Sequence, residues 1–419
     1  MHARLRFNRP RLSLLALAST AALSLASCGG GGGGGDFVGQ DPNLVAQGQQ
    51  IFRSETFGDE SFFTDVLRLN EPVEQAVTPR VALSVGLKVD ADALPASVKT
   101  GIQNGTVNLD STDTTLALLK LNAVIGLKGV VQTDANGKDH LVRLGVTCAI
   151  CHSTVDNSFT TGIGKRLDAW PNRDLNVGAI LALTPNPALA AAKPVFLSWG
   201  KGMYDARFNR VEGGQPGHGD GLNKPTVIPP AYGLQGVNKI TFTGDGNDIA
   251  YWNRYVAVTQ FGGHGNFTEP RLNINDTNGT DDLVSSKLAA LQAYQLSIPA
   301  PTPPAGSFDG LAAVRGEALF NGKARCATCH TGSTFTDANV TLHPKSDSMA
   351  EPEVNSAADR SATKQYRTTP LKGVWQHAPY FHDGSAPTLD AVVAKYNTRM
   401  ALGLSSSEMA DVVQYLKSL

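Results

Sequence analysis

The sequence predicts a mainly α-helical protein made of two similar units, the first enlarged by a long insertion that contains a β-hairpin. Three observations lead there. The phrase Cys-x-x-Cys-His occurs twice, as Cys148-Ala149-Ile150-Cys151-His152 and as Cys326-Ala327-Thr328-Cys329-His330. A helical phrase (Gly, two residues, an aliphatic, then Phe) also occurs twice, at Gly48 to Phe52 and at Gly316 to Phe320. It sits just before the second Cys motif but far upstream of the first, so the inserted stretch lies between Phe52 and Cys148. Finally, Asn136-Gly137 stands between the apolar runs Ala123 to Gln132 and His140 to Val146, a strong hairpin signal.

The Cys motif carries the chemistry. Two thiols three positions apart can each form a thioether to one porphyrin edge, and the adjacent His then reaches the iron. Cys148, Cys151 and His152 are therefore expected to hold one covalently bound haem c, and Cys326, Cys329 and His330 a second. Both units are then expected to be cytochrome c-like haem domains. A zinc site or a redox dithiol is the alternative reading of one such motif. Two copies, each with His in register, count against it. The chain has five Cys; four sit in the motifs and the fifth is Cys28.

Taken in order, residues 1–28 read as an export address. Arg4, Arg6, Arg9 and Arg11 precede an apolar run from Leu12 to Leu25 that is too short to span a membrane. Leu25-Ala26-Ser27-Cys28 is similar to a bacterial lipobox, in which the Cys becomes the lipidated first residue. An ordinary signal peptide is the alternative; the lack of another partner for Cys28 favours the lipid. The expected location is the periplasm, with the chain anchored to the membrane through Cys28. Residues 29–42 form a Gly-rich tether. Residues 43–298 make the first haem domain with its insertion, 299–306 a Pro-rich linker, and 307–419 the second haem domain.

Within the first domain, Val45 to Phe52 reads as a short helix and Thr114 to Asn122 as another. Ala179 to Ala192 is helical but interrupted at Pro185 and Pro187. Asp248 to Phe261 and Asp281 to Leu296 are further helices. In the second domain, Leu311 to Phe320 opens the unit and Thr388 caps a helix from Leu389 to Asn397. Ser405 with Glu408 makes a capping box for the last helix, whose Met409, Val412, Val413, Leu416 and Leu419 share one face. Arg166 and Arg173, after the first motif, are candidate partners for haem carboxylates. Composition is that of a globular protein, 41% hydrophobic and 17% charged, and a net charge of −1 excludes a basic nucleic-acid binder.

Tyr366-Arg367-Thr368-Thr369-Pro370-Leu371-Lys372-Gly373-Val374, then Ala378-Pro379-Tyr380-Phe381-His382-Asp383-Gly384-Ser385 and Thr388-Leu389, resembles the signature of bacterial dihaem cytochrome c peroxidases and MauG-type enzymes. The resemblance implies a peroxide-reacting first haem, an electron-transfer second haem, a Trp between them and one calcium ion near that Trp. It implies Asn223, in Asn223-Lys224-Pro225-Thr226, as a calcium ligand, with the backbone carbonyls of His377 and Pro379. Waters would complete the shell. It implies Trp252 as the bridge, although Asn253 and Tyr255 depart from the family phrase; Trp170 and Trp199 are alternatives. His218 is a candidate sixth ligand or distal base at the first iron, with His264 and Met203 as alternatives. Gln260 and Glu269 follow Trp252 at nearly the family's spacing, and Glu269 is the candidate acid/base. For the second iron the resemblance places Tyr396 where peroxidases carry Met, with Met400 or Met409 as alternatives.

The function these expectations add up to is an exported oxidoreductase that reduces hydrogen peroxide, or a similar oxidant, at the first haem with electrons passed through the second. A small cytochrome or a cupredoxin would be the electron donor, and a homodimer is compatible with the sequence. A pure electron-transfer dihaem cytochrome and a dihaem oxygenase acting on an organic substrate are the alternatives.

Overall fold

Each copy of the Gly-x-x-aliphatic-Phe phrase forms a helix that crosses a second helix through its glycine. The structure is a computed structural model and describes residues 41–349 and 356–419. The expected signal segment, Cys28 and most of the tether lie outside those residues. The first helix, Pro42–Ser54, starts at Asp41, whose carboxylate accepts from Asn43 N, with Pro42 in the first turn. It packs on Leu288–Ser297. A Cβ on Gly48 would overlap the Ala290 carbonyl, so only glycine allows this approach. In the second copy, Gly310–Asn321 crosses the final helix Ser406–Ser418, and a Cβ on Gly316 would overlap the Asp411 carbonyl. The Phe that ends each phrase is buried edge-on against a Tyr of the crossing helix. Phe52 meets Tyr294 at 5.5 Å and Phe320 meets Tyr415 at 5.2 Å between ring centres. Burying a ring of this size contributes about 2–3 kcal/mol.

The expected caps are present. Thr388 accepts from Ala391 N at the head of Leu389–Arg399, and Ser405 and Glu408 form a complete capping box. The expected hairpin is also present. Leu127–Thr133 pairs antiparallel with Asp139–Val146, with a bulge at Val130/Val131. The Asp134 carboxylate closes the turn by accepting from Asn136 N and Lys138 N. The inward residues of the second strand pack on Thr112–Lys120 and the apolar core of the insertion.

Elsewhere the elements are shorter than the periodicity suggests. The stretch from Asp248 splits into Ile249–Tyr255 and a π-helical turn Val256–Gln260. The helix expected from Asp281 begins only at Leu288, because the Asp282 carboxylate takes Val284 N and Ser285 N and shapes a turn instead. The Ala179 to Ala192 stretch is Val177–Leu181 followed by a short turn Pro187–Leu189. A second hairpin, Gly265–Glu269 with Ile274–Asn278, was not expected; Asn273 in the left-handed region makes its turn.

All sheets among the described residues are two-stranded, and the architecture is mainly helical. The described residues form one compact unit. The Pro-rich stretch is packed rather than free: Trp375 Nε1 donates to Pro301 O at 3.4 Å, and Gly233 N donates to Ile298 O. The buried Arg360 pairs with both Asp205 (2.9 Å) and Asp220 (2.7 Å), tying residues 356–360 to the loops after the first Cys motif. Among the described residues no helix is long and apolar enough to cross a membrane.

Candidate functional site

Each Cys-x-x-Cys-His motif borders its own cavity. The first, about 460 Å³, is lined by Cys148, Cys151 and His152; the second, about 470 Å³, by Cys326, Cys329 and His330. The first motif folds as a single helical turn directly after the hairpin. Thr147 N donates to Gly126 O, and a Cβ on Gly126 would overlap the backbone of Ile150, so the turn can lie on the hairpin only because that residue is glycine. In both motifs the His backbone closes the turn: His152 N donates to Cys148 O, and His330 N to Cys326 O.

The two imidazoles are held alike. His152 Nδ1 donates to Pro229 O at 3.2 Å, and His330 Nδ1 to Phe335 O at 3.1 Å. That bond fixes the tautomer and leaves Nε2 as a lone pair for a metal. Burial keeps both rings neutral, lowering His152 to about 4 and His330 below its ordinary value. Burial also pushes Cys148 and Cys151 up to about 12 and Cys326 to about 11, and none of the four is in a disulfide. Among the described residues the only metal-like cluster is Cys329 with Asp337 and His343, which includes neither Cys326 nor His330.

Both cavities are built for a group that carries carboxylates. Arg207 lines the first with its Nε 3.9 Å from Asp220 and its buried Nη1 without a hydrogen bond among the described residues, and Arg173 and Arg367 line the second, each with a buried Nε that likewise has none. Burial pushes the Arg173 and Arg367 guanidinium groups down to about 10, and among the described residues no carboxylate offsets it. A buried, unpaired guanidinium is costly, and an anion brought in by a ligand removes that cost. A haem, with apolar faces, two attachment edges and two carboxylates, fits these residues. Arg166, the other Arg singled out from sequence, pairs with Asp90 at 3.0 Å and lines neither cavity.

The remaining sequence candidates divide between the cavities and the surface. Gln260 and Trp252 line the first cavity. Trp252 Nε1 donates to Asp245 O at 2.7 Å. Glu269 is buried behind that wall. Its carboxylate takes two bonds from the Arg271 guanidinium and one from the Tyr251 hydroxyl at 3.1 Å, and Arg271 holds it below the usual carboxylate range. Tyr251 itself lines the cavity. His218 lies on an outer loop with Nδ1 3.0 Å from Glu212. His264 pairs with Asp281 at 2.8 Å, its ring wedged between Gly58 and Gly279. Neither of them, nor Met203, lines the first cavity. Among the described residues His152 is the only imidazole there, and no thioether lines it.

The second cavity is the opposite case. Tyr396 and Met400 both line it, whereas Met409 points to Asn397 Nδ2 at 3.4 Å and does not. Burial pushes the Tyr396 phenol up to about 12. Met349, His343 and His382 line it as well and were not singled out from the sequence, where nothing in their spacing marks them. The wall common to both cavities was missed too. It is made by Pro229, Pro230, Leu234 and Phe242, and does not include Trp252. Trp170 stacks edge-on against Tyr232 and Trp375, and Trp199 donates its indole N–H to Asn223 Oδ1 at 2.9 Å. Asn223 Nδ2 donates to Ser198 Oγ. The Pro379 carbonyl accepts from Arg173 Nη1 at 3.2 Å, and His377 lies buried in the same wall.

Comparison with known proteins adds relatives to this geometry. A family described as RoxA-like, cytochrome c-like matches residues 365–402, the stretch that holds Arg367, His377, Pro379, Tyr396 and Met400. The chain is 27% identical over 329 residues to cytochrome-c peroxidase IdrP1 of Denitromonas iodatirespirans, covering 63% of this chain and 83% of that protein. It is 34% identical over 128 residues to methylamine utilization protein MauG of Methylorubrum extorquens, covering 26% of this chain and 35% of that protein. Among solved structures, a MauG-like protein associated with microbial copper homeostasis aligns with 19% identity and a TM-score of 0.32, over 48% of this chain and 74% of the other. Kuenenia stuttgartiensis hydrazine synthase aligns with 19% identity and a TM-score of 0.31 over the same shares.

Proposed function

The chain belongs to the dihaem cytochrome c peroxidase/MauG family, and from that premise we propose that it reduces hydrogen peroxide, or a similar oxidant, at the first cavity with electrons that arrive through the second. The family binds haem c; bound here through Cys148, Cys151 and His152 and through Cys326, Cys329 and His330, the two groups would supply iron redox chemistry. The observation that carries the assignment is the asymmetry of the far walls. Among the described residues the first cavity is lined by no imidazole besides His152 and by no thioether, which would leave a haem held there open to a small oxidant. The second is lined by Tyr396 and Met400, either of which could hold the iron of a haem bound there.

The residues of the first cavity have separable tasks. The Gln260 amide, buried in the wall, orients a bound peroxide by hydrogen bonding but carries no titrating proton. The proton moves at Tyr251 Oη: the residue lines the cavity and its hydroxyl donates to Glu269 Oε2. Glu269 works through this phenol, and Arg271 keeps it ionised as the acceptor. The aliphatic wall excludes bulk water. Between the cavities, Pro229 holds His152 through its carbonyl and shares with Phe242 the wall that separates the two groups. Trp252 contributes an oxidisable ring on the first side. At the second cavity Tyr396 is the proposed protein ligand, a hard oxygen donor that favours oxidised iron.

The remaining parts of the reading concern setting. We infer an exported chain, held at the periplasmic membrane through a lipidated Cys28, that receives electrons from a small cytochrome or a cupredoxin. The test is steady-state peroxide consumption with a reduced cytochrome c or cupredoxin as donor. The reading predicts turnover in the donor's presence and none without it. A second reading, a dihaem oxygenase acting on an organic substrate, is favoured by one feature: the first cavity's aliphatic wall runs out to the exposed Val81 and Leu183. Oxygen uptake that depends on an apolar substrate, without peroxide consumption, would select it.

A further inference from the structure

We infer that the junction between the two cavities is held by the Arg173 guanidinium as a cation built into the chain, and that it takes no calcium ion. A calcium ion is expected there from the family resemblance, on Asn223 and the carbonyls of His377 and Pro379. The donors do not fit one. Calcium needs six to eight oxygens at short range. Asn223 Oδ1 is engaged by the Trp199 indole N–H at 2.9 Å, and its amide nitrogen is anchored to Ser198. Pro379 O accepts from Arg173 Nη1 at 3.2 Å, so a positive group already occupies that carbonyl. Among the described residues the charged and titratable groups that face Arg173 are Tyr232, Tyr380 and His377, and none is a carboxylate. A divalent ion would meet like charge with no acid to offset it.

Arg173 is placed for this task by the first motif and acts on the second. The preceding Asn172 bonds through its N–H to Cys151 O and through its amide to Gly86 O, so the loop is clamped to the first Cys-x-x-Cys-His turn. The side chain then crosses to the Ala378-Pro379-Tyr380 phrase. Its Nε is buried without a hydrogen-bond partner among the described residues, and Arg173 lies in the wall of the second cavity. Nη1 thus holds the second unit's backbone, while Nε is left for a carboxylate of the group bound there. The second half of this inference rests on haem occupancy as proposed above; the calcium half does not. Arg173 is a positioning residue, since it acts on the second group from its edge.

The experiment uses the full chain carrying its haems. Metal content is measured after dialysis into calcium-free buffer, and the absorption spectrum and thermal midpoint are recorded with excess calcium and with EGTA. Wild type should hold well under one calcium per chain and show no change on either addition. Arg173→Met should lower the midpoint potential of the second haem, because a nearby positive charge favours the reduced form, and leave the first haem's spectrum in place. Arg173→Lys should restore most of the shift. Retention of one calcium per chain, or a reversible EGTA effect on wild type, overturns the inference, and both are read on wild type even if Arg173→Met does not fold. An unchanged second-haem potential in folded Arg173→Met overturns the carboxylate half. Metal content and midpoint potential do not depend on peroxide turnover, so failure of the proposed activity would be seen separately.

Discussion

The two cavities have nearly equal volumes, about 460 and 470 Å³, and nearly identical floors, yet their far walls differ in kind. On the floor, each has two cysteines and a neutral His locked by a backbone carbonyl. Elsewhere in the lining, the first presents Gln260, Trp252 and Tyr251, with Glu269 bonded behind it, and the second presents Tyr396, Met400, Met349, His343 and His382. On the proposed function the same binding motif serves two tasks, separated by whether the protein would fill the iron's remaining position or leave it for a substrate.

The largest test of that comparison removes one floor at a time. Cys148→Ala with Cys151→Ala should leave one covalently bound haem per chain by mass and by haem absorbance, and peroxide turnover should fall to background. Cys326→Ala with Cys329→Ala should also leave one haem, but the first site should still bind small exogenous ligands such as cyanide. Equal loss of ligand binding in both double variants would dissolve the distinction.

Next in size is the proton path of the first cavity. Tyr251→Phe removes the hydroxyl that links the cavity to Glu269 and should lower kcat/KM for peroxide about 10²-fold, with the haem content unchanged. Unchanged kinetics would put the proton transfer elsewhere in that wall.

The repeated helix crossing offers a comparison in stability. Gly48→Ala and Gly316→Ala each drive a methyl into a backbone carbonyl of the crossing helix. Each should cost about 1–3 kcal/mol in denaturant unfolding. A cost at only one of the two would show that the halves are not built alike.

The smallest expected effect is at Trp252. Its ring lines only the first cavity, whereas Phe242 with Pro229, Pro230 and Leu234 separates the two. Trp252→Phe should therefore slow electron transfer between the haems by less than about tenfold, a barrier change of under 1.4 kcal/mol, as followed by rapid-mixing absorption. A larger loss would make Trp252 the relay after all.

Much of this architecture is legible in the sequence where a single residue decides local geometry. The motif turns, the Thr388 and Ser405 caps, the Asn136-Gly137 turn and the paired Gly-x-x-aliphatic-Phe helices belong to that group. What pairs across long separations is not legible. The helix Leu288–Ser297 that receives Gly48 carries no mark of its partner. The common wall from Pro229 to Phe242 reads as a loop until both cavities are seen to share it. Glu269 stands at a suggestive spacing from Trp252, but only the structure shows Tyr251 between it and the cavity and Arg271 fixing its charge. His218, an imidazole in a Gly- and Pro-rich loop, is paired with Glu212 at the surface.

On the proposed function, a haem iron at the first cavity would be open to peroxide and one at the second would be capped by the protein. The measurement that tests it most directly is electron paramagnetic resonance of the diferric protein, before and after one equivalent of hydrogen peroxide, on wild type and Tyr396→Phe. One high-spin and one low-spin haem are expected, with peroxide consuming the high-spin signal and Tyr396→Phe altering only the low-spin one. Two low-spin haems, inert to peroxide in both the oxidised and the half-reduced protein, would contradict the claim and leave an electron-transfer cytochrome.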